Sequence, residues 1–154
     1  MSNLAPDLRP LRDSDLDQVE AIERAAYPQP WTRQHFRDEL TRDCAHCLAA
    51  VTADDQKLLG YLIWWLVVDE AQILNLAVAP TAQRQGVGAA LLQRCLEQAR
   101  AARAASIWLE VRSGNTAAQA LYAAHGFALR ARRRGYYQPA GEDALIMQLP
   151  LVSS

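Results

Sequence analysis

From Cys47 to Val78 the chain reads as three successive strands with very short connections. Asp54-Asp55-Gln56-Lys57 supplies the first turn and Asp69-Glu70 the second. A parallel connection needs a crossover of about a dozen residues or more, so strands joined this tightly form an antiparallel meander. Within them lies the chain's longest apolar run, Tyr61-Leu62-Ile63-Trp64-Trp65-Leu66-Val67-Val68. It falls far short of the roughly 20 residues of a membrane-crossing helix, so a core strand is expected and no membrane partner.

The rhythm then changes. Gly86 to Arg103 sets Val87, Leu91, Leu92, Cys95, Leu96 and Ala99 at the spacing of an amphipathic helix. Ser106 to Val111 reads as a strand. Asn115 to His125 reads as a helix with Ala118, Leu121 and Tyr122 on one face, stopped by Gly126. Further strands are expected from Phe127 onwards and over Asp143 to Leu149. Upstream, Leu8-Arg9-Pro10-Leu11 fits a short edge strand, where proline is tolerated. Ser14 is the expected N-cap of a helix carrying Leu16, Val19, Ile22 and Glu23, with Asp15 and Asp17 in its first turn. Tyr27-Pro28-Gln29-Pro30 ends that helix, and Thr32 caps a second one with Phe36 and Leu40 four apart. A meander followed by strand–helix–strand units implies an α+β, or mixed α/β, sheet. No linker or repeat divides the chain, and 154 residues at 51% hydrophobic content suit a single domain over 1-154.

Several function classes are excluded. Met1 to Pro10 lacks a basic start followed by an apolar stretch, so no signal peptide is expected. Three cysteines, an odd count, fit a reducing cytoplasmic compartment. Cys44-Ala45-His46-Cys47 has C-x-x-C spacing, but residues three apart on a strand face opposite sides. Half-buried thiols are the expectation there, with a zinc or redox site as the alternative. His35, His46 and His125 form no ligand set, so no metal is expected. A net charge of -1 argues against a general nucleic-acid binder. The densest basic stretch, Arg130-Ala131-Arg132-Arg133-Arg134, reads as a solvated strand end or as a contact for a phosphate group.

The most informative stretch runs from Leu74 to Gly88. A strand ends at Pro80, and a polar turn leads into a helix opening with Gly86 and Gly88. Glycines let a ligand approach the backbone, and the free N–H groups of a first helical turn favour an anion such as a pyrophosphate. They can also merely ease packing. The P-loop pattern is absent, and the third glycine of the dinucleotide pattern is Leu91. What remains, Gln83-x-x-Gly86-x-Gly88, resembles the acyl-CoA loop of the GCN5-related N-acetyltransferases (GNAT). That resemblance implies a central, mostly antiparallel sheet of six to seven strands with a splayed central parallel pair, flanked by about four helices. It implies acetyl-CoA as cosubstrate, bound by Leu76, Ala77 and Val78 on the fourth strand. Arg84, Gln85, Gly86, Val87, Gly88 and Ala89 of the loop and helix start, together with Asn115, would complete its site.

Downstream, Leu109-Glu110-Val111-Arg112 leads through Asn115, Ala118, Leu121-Tyr122 and Gly126-Phe127. This pattern is similar to the bacterial ribosomal-protein-alanine N-acetyltransferases. Pro30-Trp31-Thr32, Asp69-Glu70-Ala71, Arg133-x-x-Tyr136-Tyr137 and Glu142-Asp143-Ala144 extend the likeness. Tyr27-Pro28-Gln29-Pro30 departs from the Phe-Pro-Trp of that group. By their surroundings alone, Glu110 reads as a solvated strand residue, Tyr122 as core and Asn115 as an N-cap. The resemblance instead implies Glu110 as general base, Tyr122 as general acid and backbone N–H near Val78 as the oxyanion donor. It implies an acceptor peptide, the N-terminal alanine of a small-subunit ribosomal protein, modified by direct transfer in a ternary complex. A free α-amine, with a pKa of about 7.7–8.0 against about 10.4 for lysine, needs only a modest base. Tyr136 and Tyr137 would line the acceptor groove, and Asp69 and Glu70 would attract a positively charged N-terminus. A monomer without direct nucleic-acid binding is expected. The alternatives are a GNAT enzyme acting on a small amine or another protein N-terminus, and a non-catalytic acyl-CoA-binding or interaction domain.

Overall fold

The computed structural model describes residues 5–151. In chain order these form β1 (Asp7–Pro10), α1 (Leu16–Ala26), α2 (Arg33–Thr41), β2 (Ala45–Val51), β3 (Leu58–Val67), β4 (Glu70–Val78), α3 (Val87–Ala101), β5 (Ser106–Arg112), α4 (Thr116–Ala124), β6 (Ala128–Tyr137) and β7 (Glu142–Pro150). The strands make one seven-stranded sheet in the order β1-β2-β3-β4-β5-β7-β6. The expected meander is β2-β3-β4, and the Pro10-containing strand lies at the sheet edge. The expected mixed sheet with a splayed parallel pair is also found. Among the described residues β4 and β5 are the one parallel pair, and they pair only from Glu70↔Ser106 to Ile73↔Leu109.

The splay has a local cause. Opposite β3, Ile63 faces Asn75 and Trp64 faces Ile73, so Leu74 is an extra residue in β4. Such a bulge bends its strand and increases the twist, which turns the end of β4 away from β5. The Ala79 N–H donates to the Leu59 carbonyl at 2.8 Å. Alternation along an antiparallel ladder then spends the backbone groups of Ala77 and Asn75 on β3 and turns those of Leu76 and Val78 toward the open side.

The core fills both faces of the sheet. On one, Val87 and Leu91 of α3 press on Gly60, and the Trp64 indole donates to Gln98 at 3.3 Å. On the other, Phe36 of α2 meets Tyr61 edge to face at 5.6 Å between centroids. All four large side chains, Phe36, Tyr61, Trp64 and Leu91, are fully buried. Cys44 and Cys47 are half-buried and Cys95 is buried. Burial, with Glu39 nearby, pushes the Cys47 thiol up to about 12, which keeps it protonated and unreactive. Among the described residues no three His, Cys, Asp or Glu side chains gather as a metal site.

Thr32 caps α2 as expected, its hydroxyl accepting the His35 N–H at 3.1 Å. Ser14 does not cap α1. The chain enters that helix through a short 3-10 turn, Asp13–Asp15, and Asp15 holds the N-cap position without a side-chain cap bond to the helix. Its carboxylate accepts the Arg12 backbone N–H at 2.7 Å and an N–H from each of the two terminal Arg9 guanidinium nitrogens at 2.8 Å. A buried carboxylate met by an arginine fork outweighs a serine hydroxyl at a surface turn. Burial alone would raise the Asp15 pKa; the Arg9 fork and the Arg12 N–H outweigh it and hold the carboxyl below the usual range. A folded-state pKa below the unfolded one stabilises above the unfolded value and is lost as pH falls through the folded one. Asp15→Asn should therefore cost about 1–3 kcal/mol in urea unfolding at pH 7. The deficit should shrink as pH drops below about 3.9. A deficit unchanged at low pH would show that the fork does not act through the charge.

Candidate active site

Two cavities meet where β4 and β5 part. The first, about 560 Å³, lies between the end of β4, the start of α3 and the flank of α4. Leu76, Ala77, Val78, Arg84, Gly86, Val87, Gly88, Ala89 and Asn115 line it, as does Gln83. Gln85 does not: it is exposed, and its side chain donates to the Thr81 carbonyl at 3.3 Å.

The two glycines act differently. Gly86 is the N-cap of α3 at φ +83°, a left-handed conformation that only glycine adopts readily, and a Cβ there would meet nothing. With Arg84 also at positive φ, the loop curls so that the first-turn N–H groups of α3 lie open, without a side-chain cap. At Gly88 a Cβ would lie 3.2 Å from Leu121 and 3.6 Å from Val78. Its small size lets α3 close against α4 and β4. One glycine thus shapes the turn that leaves those N–H groups open, and the other is a packing residue.

The second cavity, also about 560 Å³, opens on the side of the sheet where the loop after α1 reaches the β6–β7 hairpin, Gln29 donating to the Gln138 carbonyl. It brings Glu110 and Tyr122 together and shares Tyr27, Leu76, Asn115 and Ala118 with the first. Glu110 is exposed near the end of β5, where its Oε2 accepts the Tyr137 hydroxyl at 2.9 Å. Arg112 stacks its guanidinium 3.9 Å from the Tyr137 ring centre and pairs with Glu142 at 3.2 Å, which fixes that ring. Burial and then Glu110 raise the Tyr137 pKa, so the phenol keeps its proton and donates it in the hydrogen bond. Tyr122 is buried and packs edge to face on Phe127 at 5.6 Å. Burial raises its pKa as well, which keeps a protonated phenol at the cavity wall. Asn115 caps α4, accepting the Ala118 N–H at 3.2 Å, while it lines both cavities.

Of the basic stretch, Arg133 alone among the described residues reaches this cavity, with its guanidinium 5.3 Å from the Tyr136 ring centre. Arg130 and Arg132 take surface partners, Gln148 and Asp143. Glu70 lines a neighbouring depression of about 420 Å³ with Trp65 and Trp108, and that depression also touches Glu110. Asp69 lies outside all three.

Three residues at the junction carry no motif. Tyr27 lines both cavities, and its hydroxyl donates to the Leu76 carbonyl at 2.6 Å. Burial, with Glu23 nearby, pushes its pKa up to about 12. Glu23 and Asn75 form the floor of the second cavity, joined at 2.9 Å. Glu23 did leave one sign in the sequence: it sits at helical spacing among Leu16, Val19 and Ile22, a charged residue on an apolar stripe.

The model of the acetyltransferase (GNAT) family matches residues 16–127. A relative from Bacillus subtilis, a candidate [ribosomal protein bS18]-alanine N-acetyltransferase, is 39% identical over 141 residues, covering 91% of this chain and 92% of its own. The [ribosomal protein bS18]-alanine N-acetyltransferase of Escherichia coli K12 is 37% identical over 143 residues, covering 92% of this chain and 95% of its own. The crystal structure of the Escherichia coli ribosomal-protein-S18-alanine N-acetyltransferase superposes with a TM-score of 0.87 at 35% identity, over 96% of this chain and 95% of that one.

Proposed function

The chain belongs to the acetyltransferase (GNAT) family, and we propose that it transfers the acetyl group of acetyl-CoA to the N-terminal alanine of ribosomal protein bS18. One observation carries this reading. The splay of β4 from β5 joins a groove that ends at an uncapped helix N-terminus to a cavity holding a carboxylate and a buried phenol.

Acetyl-CoA supplies an activated acyl group, and this chain's residues fit it. The open N–H groups of α3 beyond Gly86 suit the pyrophosphate. The free edge of β4 at Leu76 and Val78 offers backbone partners to an extended arm with amide groups. A Leu76 or Val78 N–H turned into the gap would stabilise charge developing on the thioester oxygen. Glu110 takes the proton from the acceptor amine, with Tyr137 fixing one carboxylate oxygen and leaving the other free. Tyr122 gives its proton to the departing thiolate. Each group then acts on substrate directly, so transfer occurs in a ternary complex without an acyl-enzyme. The protein is proposed to act as one domain over 1-154, as a cytoplasmic monomer.

The deciding experiment offers acetyl-CoA with an alanine-initiated bS18 peptide, the same peptide N-blocked, and a panel of small amines, read by mass spectrometry. The free peptide should be acetylated at its α-amine at least about tenfold faster than any small amine, and the blocked peptide not at all. Faster turnover of a small amine would replace the acceptor. Binding of acetyl-CoA without turnover would make the domain non-catalytic.

A further inference from the structure

We propose that the side-chain oxygen of Asn75, backed by the carboxylate of Glu23, receives the α-amino group of the acceptor. The inference rests on the reading above that this cavity takes a protein N-terminus, and it names the group that holds the amine before transfer. Asn75 is 6% exposed, and its Oδ1 is the buried side-chain polar atom without a partner among the described residues. Buried acceptors are almost always answered, so an unanswered one on a residue that lines a cavity marks a place for a donor. The amide cannot be turned round to remove the deficit. Its other end faces Glu23 Oε1 at 2.9 Å, and a carboxylate there requires the NH2 group.

Position decides which ligand supplies the donor. Asn75 directly follows the Leu74 bulge and lines the cavity of Glu110 and Tyr122, but not the groove at the start of α3. A group reaching Asn75 therefore comes from the acceptor side.

Charge decides the chemical class. Glu23 is 1% exposed and accepts hydrogen bonds from the Tyr61 hydroxyl at 2.5 Å, the Trp31 N–H at 2.9 Å and Asn75. Among the described residues it has no basic partner. A buried carboxylate held only by neutral donors leaves a negative field in the cavity floor, which favours a cation. Donation from Asn75 to that carboxylate also polarises the amide and strengthens Oδ1 as an acceptor. An N-terminal ammonium answers both features, with N–H donors for Oδ1 and a charge for Glu23. A hydroxyl or amide would answer only the first. With one N–H held by Asn75, the amine lies at a fixed place on the cavity floor, and Glu110 can take a second proton.

The test is a double-mutant cycle in which one mutation is made in the ligand. Dissociation constants are measured, with CoA present, for the alanine-initiated peptide and for its des-amino analogue carrying a propanoyl group in place of alanyl. Wild type should bind the free amine at least about tenfold tighter. In Asn75→Leu this preference should fall at least about threefold, the charge of Glu23 keeping the remainder, with acetyl-CoA affinity retained. Asn75→Ala provides the same comparison if the leucine variant does not fold. The proposal is overturned if wild type does not separate the two peptides, or if either variant keeps the wild-type ratio. Failure of the acceptor reading is separate, since wild type would then not acetylate the peptide at all.

Discussion

Glu110→Gln is expected to lower kcat by about 10²–10⁴-fold while acetyl-CoA affinity stays at the wild-type value. The substitution preserves shape, and the glutamine carbonyl still accepts the Tyr137 hydroxyl that Glu110 Oε2 now accepts at 2.9 Å. Glu110 is exposed and makes no contribution to the core, so stability should stay within about 0.5 kcal/mol. What is lost is the proton acceptor. The residual rate then depends on how much amine is already neutral, and an α-amine titrates at about 7.7–8.0. The gap between variant and wild type should therefore narrow as pH rises from 6 to 9. Initial rates over that range, with acetyl-CoA binding measured separately, check both parts. Equal rates throughout would remove Glu110 from proton transfer and leave the α-amine to act unaided.

The parts of this site legible in the sequence are those encoded over short stretches. The meander follows from apolar runs with tight turns, and the loop before α3 from a strand, a polar turn and two glycines. Such patterns fix the local backbone whatever packs around it. They do not say which way an exposed side chain points. Gln85 sits inside the loop pattern yet turns to the Thr81 carbonyl, while Gln83 lines the groove. The glycine pair illustrates the same limit, since spacing alone does not separate the left-handed Gly86 from the packing-limited Gly88. The cavity floor was out of reach for a different reason. Glu23 and Asn75 are 52 positions apart and meet only because α1 crosses β4 beside the bulge. Asp15 likewise takes its role from Arg9, which comes from the sheet edge and not from the helix that Ser14 was expected to cap.

Gly60→Val should unfold the protein more easily by about 1–3 kcal/mol or more and weaken acetyl-CoA binding at the same time. Gly60 lies in β3 opposite Val78, beneath the first turns of α3. A Cβ at this position would come within 2.8 Å of the Ala77 carbonyl oxygen, 3.2 Å of Val87 and 3.3 Å of Leu91. The two side chains are fully or almost fully buried and have little room to move. The nearest atom is backbone, held in the β3–β4 ladder, so trimming Leu91 would not relieve the clash. Either β4 shifts at Ala77 and Val78 or α3 lifts off the sheet. Both movements displace walls of the same groove, the free edge of β4 on one side and the helix start after Gly86 on the other. Urea unfolding and calorimetric titration with acetyl-CoA on one preparation would read the two effects together. A loss of stability with cofactor affinity unchanged would mean that the groove is shaped elsewhere than at the contact between β3 and α3.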